Sequence, residues 1–70
     1  MQILLNGQPF DLPTGTTLAA LIKLRQASGH LRTTAYAVER NRQVVVRKEH
    51  DAIQLQPNDH IEIVVMVGGG

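Results

Sequence analysis

The sequence predicts an α+β domain: a mixed sheet of four to five strands with one main helix packed on one face. Three observations carry this. An Asn6-Gly7 pair sits between two short segments of strand character. One segment, Leu18 to Arg25, repeats apolar residues at helical spacing, and the second half of the chain is rich in β-branched runs that end in Ile61-Glu62-Ile63-Val64-Val65. With 70 residues there is room for one small core and no second domain.

The elements follow in order. Ile3-Leu4-Leu5 is a short apolar strand, and Asn6-Gly7 is a strong hairpin signal because both residues accept the positive φ of a type I′ turn. The return arm Gln8-Pro9-Phe10-Asp11-Leu12 alternates, placing Phe10 and Leu12 on one face; Pro9 restricts it to an edge or strand start, and Pro13 closes it. Thr14-Gly15-Thr16-Thr17 is a turn offering hydroxyl N-caps, after which Leu18, Leu21, Ile22 and Arg25 recur at i, i+3, i+4 and i+7. Leu24 widens the apolar stripe, and Ser28-Gly29 supplies a left-handed terminator. His30 to Thr34 reads as a loop, Ala35-Tyr36-Ala37-Val38 as a third strand, Asn41 as a turn, and Val44-Val45-Val46 as a fourth strand completing a second hairpin. Arg47 to Asp51 is a polar helical turn or loop, Ile53 and Leu55 alternate briefly, and Pro57-Asn58-Asp59 is a turn cluster. In the last strand, His60 to Val67, Ile61, Ile63, Val65 and Val67 share one face, with Glu62, Val64 and Met66 on the other. The domain is expected over residues 1–67, with a flexible glycine tail at 68–70.

Composition excludes several classes. Seven Lys and Arg against six Asp and Glu leave a net charge of +1, so neither a strongly basic nucleic-acid binder nor an acidic tail is indicated. Without cysteine there is no disulfide, thiolate nucleophile or cysteine-based zinc site. The opening Met1-Gln2-Ile3-Leu4-Leu5 lacks the basic segment and long apolar stretch of a signal peptide, and no apolar run is long enough to span a bilayer. A cytoplasmic protein with no membrane partner is expected, and nucleic acid is not an expected partner.

Residues that ordinarily do chemistry are few and scattered. His30, His50 and His60 lack metal-ligand spacing and read as exposed loop histidines. Asp51, Asp59, Glu39 and Glu49 fall in turns or at strand ends and read as solvated or capping groups. Ser28, the single serine, is a turn residue rather than a nucleophile. Arg40, Arg42, Arg47 and Lys48 form a small basic patch with only Tyr36 nearby for stacking. No catalytic residue and no metal site is expected. The tail differs: Gly68-Gly69-Gly70 directly follow an apolar strand, carry no Cβ, and end in an α-carboxylate. Extended, three residues reach about 10 Å at 3.3–3.6 Å each, and Met66-Val67 lengthen the arm if the strand end peels away. Such an arm can enter a narrow active site. Two readings stay open on sequence mechanics: a carboxylate activated by an ATP-dependent partner, or a frayed glycine-rich end.

A hairpin, a helical crossover and a late strand pairing in parallel with the first is the β-grasp arrangement. Its details resemble the ubiquitin-like sulfur-carrier family, most closely the ThiS branch of thiamin biosynthesis. The likeness lies in Met1-Gln2-Ile3 with Asn6-Gly7, Thr17-Leu18 with Leu21-Ile22, Ala37-Val38-Glu39 with Asn41, Asn58-Asp59-His60-Ile61-Glu62-Ile63, and Val67-Gly68-Gly69-Gly70. The resemblance implies a covalent carrier and not an enzyme. Gly70 would be adenylated by an E1-like enzyme, converted to a thiocarboxylate, and used by thiazole synthase, with Gly68 and Gly69 threading partner active sites. A sulfur-donating enzyme such as a cysteine desulfurase is implied as a further partner. The chain itself would bind no cofactor, ATP and magnesium being used by the activating partner. Related carriers serve molybdopterin synthesis and tRNA thiolation, and a non-activated β-grasp module binding protein or RNA is the alternative from another class. Departures from the family pattern are Arg42 where glycine often follows the Asn of the second turn, Val46 where proline often precedes Arg47, and Asn58 where glycine is frequent. Val65-Met66-Val67 replaces the basic stretch that precedes the di-glycine of ubiquitin and favours capture in apolar partner channels. Leu4, Val64, Met66 and Val67 are the candidate partner-docking residues, an apolar strip beside the tail.

Overall fold

A computed structural model describes residues 1–67. Five strands and one α-helix form the domain: β1 (Gln2–Leu5), β2 (Gln8–Asp11), α1 (Leu18–Ala27), β3 (Tyr36–Arg40), β4 (Gln43–Val45) and β5 (His60–Val65), with a 3-10 turn at Arg47–Glu49 between the last two strands. The strand order is β2-β1-β5-β3-β4. β1 and β5 run parallel at the centre, Leu4 opposite His60 and Leu5 opposite Ile61, as the crossover through α1 requires. Antiparallel hairpins flank them on both sides. This is the ubiquitin-like β-grasp fold.

Each hairpin closes on two residues of positive φ. Asn6 and Gly7 have φ of 49° and 80°, Asn41 and Arg42 of 51° and 71°. Both pairs fit the primed turns that match strand twist. The N-terminus of α1 is closed by four bonds. Thr17 Oγ1 accepts from the Ala20 N–H and the Thr17 carbonyl from the Leu21 N–H, while the Leu18 and Ala19 N–H groups donate to the Ile53 and His50 carbonyls. At the other end Gly29, with φ of 78°, turns the chain so that the Gly29 and His30 N–H groups reach the Gln26 and Arg25 carbonyls.

Ile3, Leu5, Leu12, Leu18, Leu21, Ile22, Leu31, Val38, Leu55 and Ile61 form the core between sheet and helix. Strands therefore supply it at alternate positions and α1 at i, i+3 and i+4.

Several expectations are corrected. Leu24 does not widen the buried stripe: it is exposed, because it projects to the side of the face formed by Leu18, Leu21 and Ile22, while Arg25 lies over the Phe10 ring at 5.4 Å. The third and fourth strands sit at Tyr36–Arg40 and Gln43–Val45, since the turn is centred on Asn41-Arg42; Ala35 and Val46 fall outside them. β5 stops at Val65 rather than Val67, where β3 runs out of partners. Leu31, read only as part of a loop, is a core residue docked behind the helix terminus. His50 is buried rather than exposed, its Nε2 3.1 Å from the Val45 carbonyl, which ties the segment after the 3-10 turn to β4.

Candidate functional site

Of the residues singled out by sequence, Val64, Met66 and Val67 lie where β5 leaves the sheet. Gly68, Gly69 and Gly70, expected to carry the chemistry, lie outside the described residues, as does the expected tail boundary. Their approach is described as far as Val67. Val64, Val65, Met66 and Val67 form an unbroken exposed apolar run, with relative exposures of 45%, 49%, 57% and 92%. Val65 shares the core-facing parity of Ile61 and Ile63, yet burial fades along that face from 1% at Ile61 to half exposure at Val65. The face shared by Ile61, Ile63 and Val65 is covered only near its start.

The hydrogen-bond phase of β5 decides which of its backbone groups are free. The Met66 N–H donates to the Ala35 carbonyl at 2.8 Å and the Asn41 N–H to the His60 carbonyl at 2.7 Å. Bonded and non-bonded pairs alternate along an antiparallel ladder. Ala37/Val64 and Glu39/Glu62 are therefore bonded pairs, whereas Tyr36/Val65 and Val38/Ile63 are not. The N–H groups of Ile63 and Val65, with their carbonyls, point away from β3 toward the β1 side. There the Asn6 N–H donates to the Ile61 carbonyl and Asn6 Oδ1 accepts from the Ile63 N–H, each at 2.8 Å. The chain then turns back at Gly7. Beyond that point the β1 side of β5 meets no backbone partner among the described residues.

Leu4 shares the outer face with Val64 but pairs with His60. Val64 lies four steps along β5 from His60, about 13 Å at the usual strand rise. Glu62 lies between them and faces Glu39 directly across the ladder. The structure thus gathers Val64, Met66 and Val67 at the strand end and leaves Leu4 apart from them.

The start of β5 is fixed by a site that sequence reading treated as a solvated turn. Asp59 is 5% exposed. Its Oδ2 accepts from Arg40 Nε at 2.9 Å and the Gln56 N–H at 2.8 Å, and its Oδ1 from Asn41 Nδ2 at 3.1 Å. Asn41 Oδ1 in turn accepts from the His60 N–H. Burial raises the Asp59 carboxyl pKa, but the bonds from Gln56, Asn41 and Arg40 and the Arg40 charge together outweigh it, and the net shift is downward. An Asp two residues after a proline and next to an αL Asn was the available signal; the Arg40 and Asn41 partners are distant in sequence.

The basic patch is divided by these contacts. Arg40 pairs with Asp59, and Arg47 stacks over the Tyr36 ring at 4.0 Å while donating to the Thr34 and Tyr36 carbonyls. A shallow depression of about 240 Å³ lies between α1 and the 3-10 turn, lined in part by Ile22, Lys23, Tyr36, Arg47 and His50. No group of three or more metal-ligating side chains occurs among the described residues. Nor is any described helix long and apolar enough to cross a membrane.

Fold and site together define a ubiquitin-like β-grasp protein whose central strand delivers an exposed apolar segment into a glycine end. The chain matches the ThiS family over residues 3–70 and belongs to that family. It is similar to the crystal structure of a thiamine biosynthesis protein, ThiS, from Geobacter metallireducens, at 25% identity and a TM-score of 0.78 over the whole of both chains. The solution structure of a thiamine biosynthesis protein from that organism gives a TM-score of 0.67 at 25% identity, covering 100% of this chain and 88% of that one. A thiazole synthase of Magnetococcus marinus is 43% identical over all 70 residues, which span only 20% of that relative's length.

Proposed function

We propose that this chain carries sulfur as a thiocarboxylate on Gly70 and delivers it to a thiazole synthase. The Gly70 carboxylate attacks the α-phosphorus of ATP in an E1-like enzyme, releasing pyrophosphate and forming an acyl-adenylate. A persulfide supplied through a donor such as a cysteine desulfurase then displaces AMP to give an acyl disulfide, and attack of a thiol on its outer sulfur releases the thiocarboxylate and leaves the donor in a new disulfide. ATP and magnesium belong to the activating enzyme, and this chain contributes the acyl group and its handle. Gly68 and Gly69 pass through the partner's channel because they carry no side chain.

The observation that carries the reading is the end of β5: the strand at the centre of the fold runs directly into the glycines, and its last four described residues are apolar and uncovered. A central strand gives the tail a rigid base, and Val64, Met66 and Val67 offer the partner contact beside it. Thiazole synthase as the acceptor is supported by the Magnetococcus relative, in which a segment resembling this entire chain occurs within a protein named for that activity.

Intact-mass analysis after incubation with ATP, magnesium, an E1-like enzyme and a sulfur source tests the reading. The expected product is heavier by the replacement of one oxygen by sulfur, and a chain lacking Gly70 gives none. Absence of the adduct with an enzyme that activates a known carrier would reject it. Transfer of that sulfur to thiazole synthase, but not to molybdopterin synthase or a tRNA-thiolating enzyme, assigns the pathway.

A further inference from the structure

We propose that the Ile63–Val67 segment is a pairing edge, along which the activating enzyme lays an extended segment of its own. This rests on the carrier reading above and adds the manner of capture. The Val65 N–H and the Ile63 and Val65 carbonyls face the β1 side beyond the last contact made by Asn6. They present one donor between two acceptors, the pattern that a neighbouring strand completes.

The side chains point to the same occupant. Val64 and Val65 lie on opposite faces at the end of β5, Met66 and Val67 follow directly, and all four are exposed. Docking on a single sheet face covers only one side of this run. A partner strand lying alongside, flanked by apolar walls above and below, covers both. Four consecutive exposed apolar residues are otherwise a liability for solubility and pairing. A second copy of this chain is a poorer occupant: so short an edge buries far less than the roughly 1,000 Å² of a stable dimer. An enzyme that also encloses the tail adds that contact elsewhere.

The register has a functional consequence. Pairing at Val65 holds the strand straight immediately before the glycines, so the partner fixes the direction of the tail through backbone bonds that do not depend on the carrier's side chains.

Amide exchange on the unmodified chain tests this first. The Val65 N–H should exchange fast in the free protein, unlike the Val64 and Met66 N–H groups in the β3 ladder, and should slow at least about ten-fold in the complex with the adenylating enzyme. A chemically synthesised chain with an ester in place of the Val65 amide, and the variant Val65→Pro, remove this donor without removing a β3 bond. Folding is followed by amide spectra and activation by ATP-dependent pyrophosphate release. Folded variants should lose about ten-fold or more in kcat/KM. Unchanged exchange at Val65 in the complex, or full activation of the ester chain, would overturn the pairing while leaving the carrier reading intact. Failure of the unmodified chain to bind or be activated would overturn both. Protection in the free chain that rises with concentration would assign the edge to self-association instead.

Discussion

Asp59 shows how much of this fold rests on one carboxylate. It closes the turn before β5, accepts three hydrogen bonds and neutralises Arg40. Asp59→Ala leaves the Gln56 N–H and the Arg40 guanidinium without their acceptor and should cost about 2–3 kcal/mol in denaturant unfolding. Because the folded pKa lies below the ordinary 3.8, this stabilisation is complete above that value and is lost as pH falls through the lowered folded pKa. The acid limb of the wild-type stability curve should therefore steepen below about pH 4, and Asp59→Asn should flatten it. A second prediction concerns Arg42, which holds φ of 71° in the second hairpin turn. Left-handed backbone costs a side-chain-bearing residue about 1–2 kcal/mol, and glycine returns part of that gain as unfolded-state entropy. Arg42→Gly should raise the unfolding free energy by about 0.5–1 kcal/mol. Sequence reading found Asn6, Asn41 and Asn58 as turn residues because asparagine tolerates this region. It could see Arg42 only as a departure from a glycine pattern, since nothing in an arginine announces positive φ.

Among the elements, the legible features were those encoded within a few residues of one another. Asn6-Gly7, the Thr17 cap, Gly29 and the period of Leu18, Leu21 and Ile22 are local signals, and all act as such. Less legible were features set by where another element ends, such as the exposure of Val65. The closure of α1 by the Ile53 and His50 carbonyls was invisible too, because backbone acceptors leave no mark in composition. Asn6 combines both kinds. Its turn role is local, but its side chain also accepts from the Ile63 N–H, 57 residues away. Substitution separates the two roles. Asn6→Gly keeps the turn and loses the acceptor, and should cost about 0.5–1.5 kcal/mol with faster exchange at the Ile63 amide. Asn6→Ala loses both and should cost about 1–2 kcal/mol more. Asn6→Asp retains the acceptor and should keep the Ile63 amide protected, an outcome that amide exchange reads directly.

At the scale of the molecule, stability and partner contact occupy opposite ends of the same strand. Ile61 is sealed in the core and Asp59 anchors the turn before it, whereas Val64 to Val67 contribute little to the core and remain uncovered. Alternation and the adjoining glycines mark Val64, Met66 and Val67 in the sequence, and all three are exposed. Leu4 was misplaced because strand parity assigns a face but not a position along it, and the parallel register sets Leu4 beside His60. This division makes docking separable from folding. Val64 and Met66 are 45% and 57% exposed, so Val64→Lys and Met66→Lys should change stability by no more than about 0.5 kcal/mol. The same charges, buried against an apolar partner without a counter-ion, should raise the KM for activation by the adenylating enzyme about ten-fold or more. Thermal unfolding and pyrophosphate release on the same samples decide the matter. Loss of stability in step with loss of activation would return both residues to a structural role. Activation lost from a fully folded chain would place the docking surface at the end of β5.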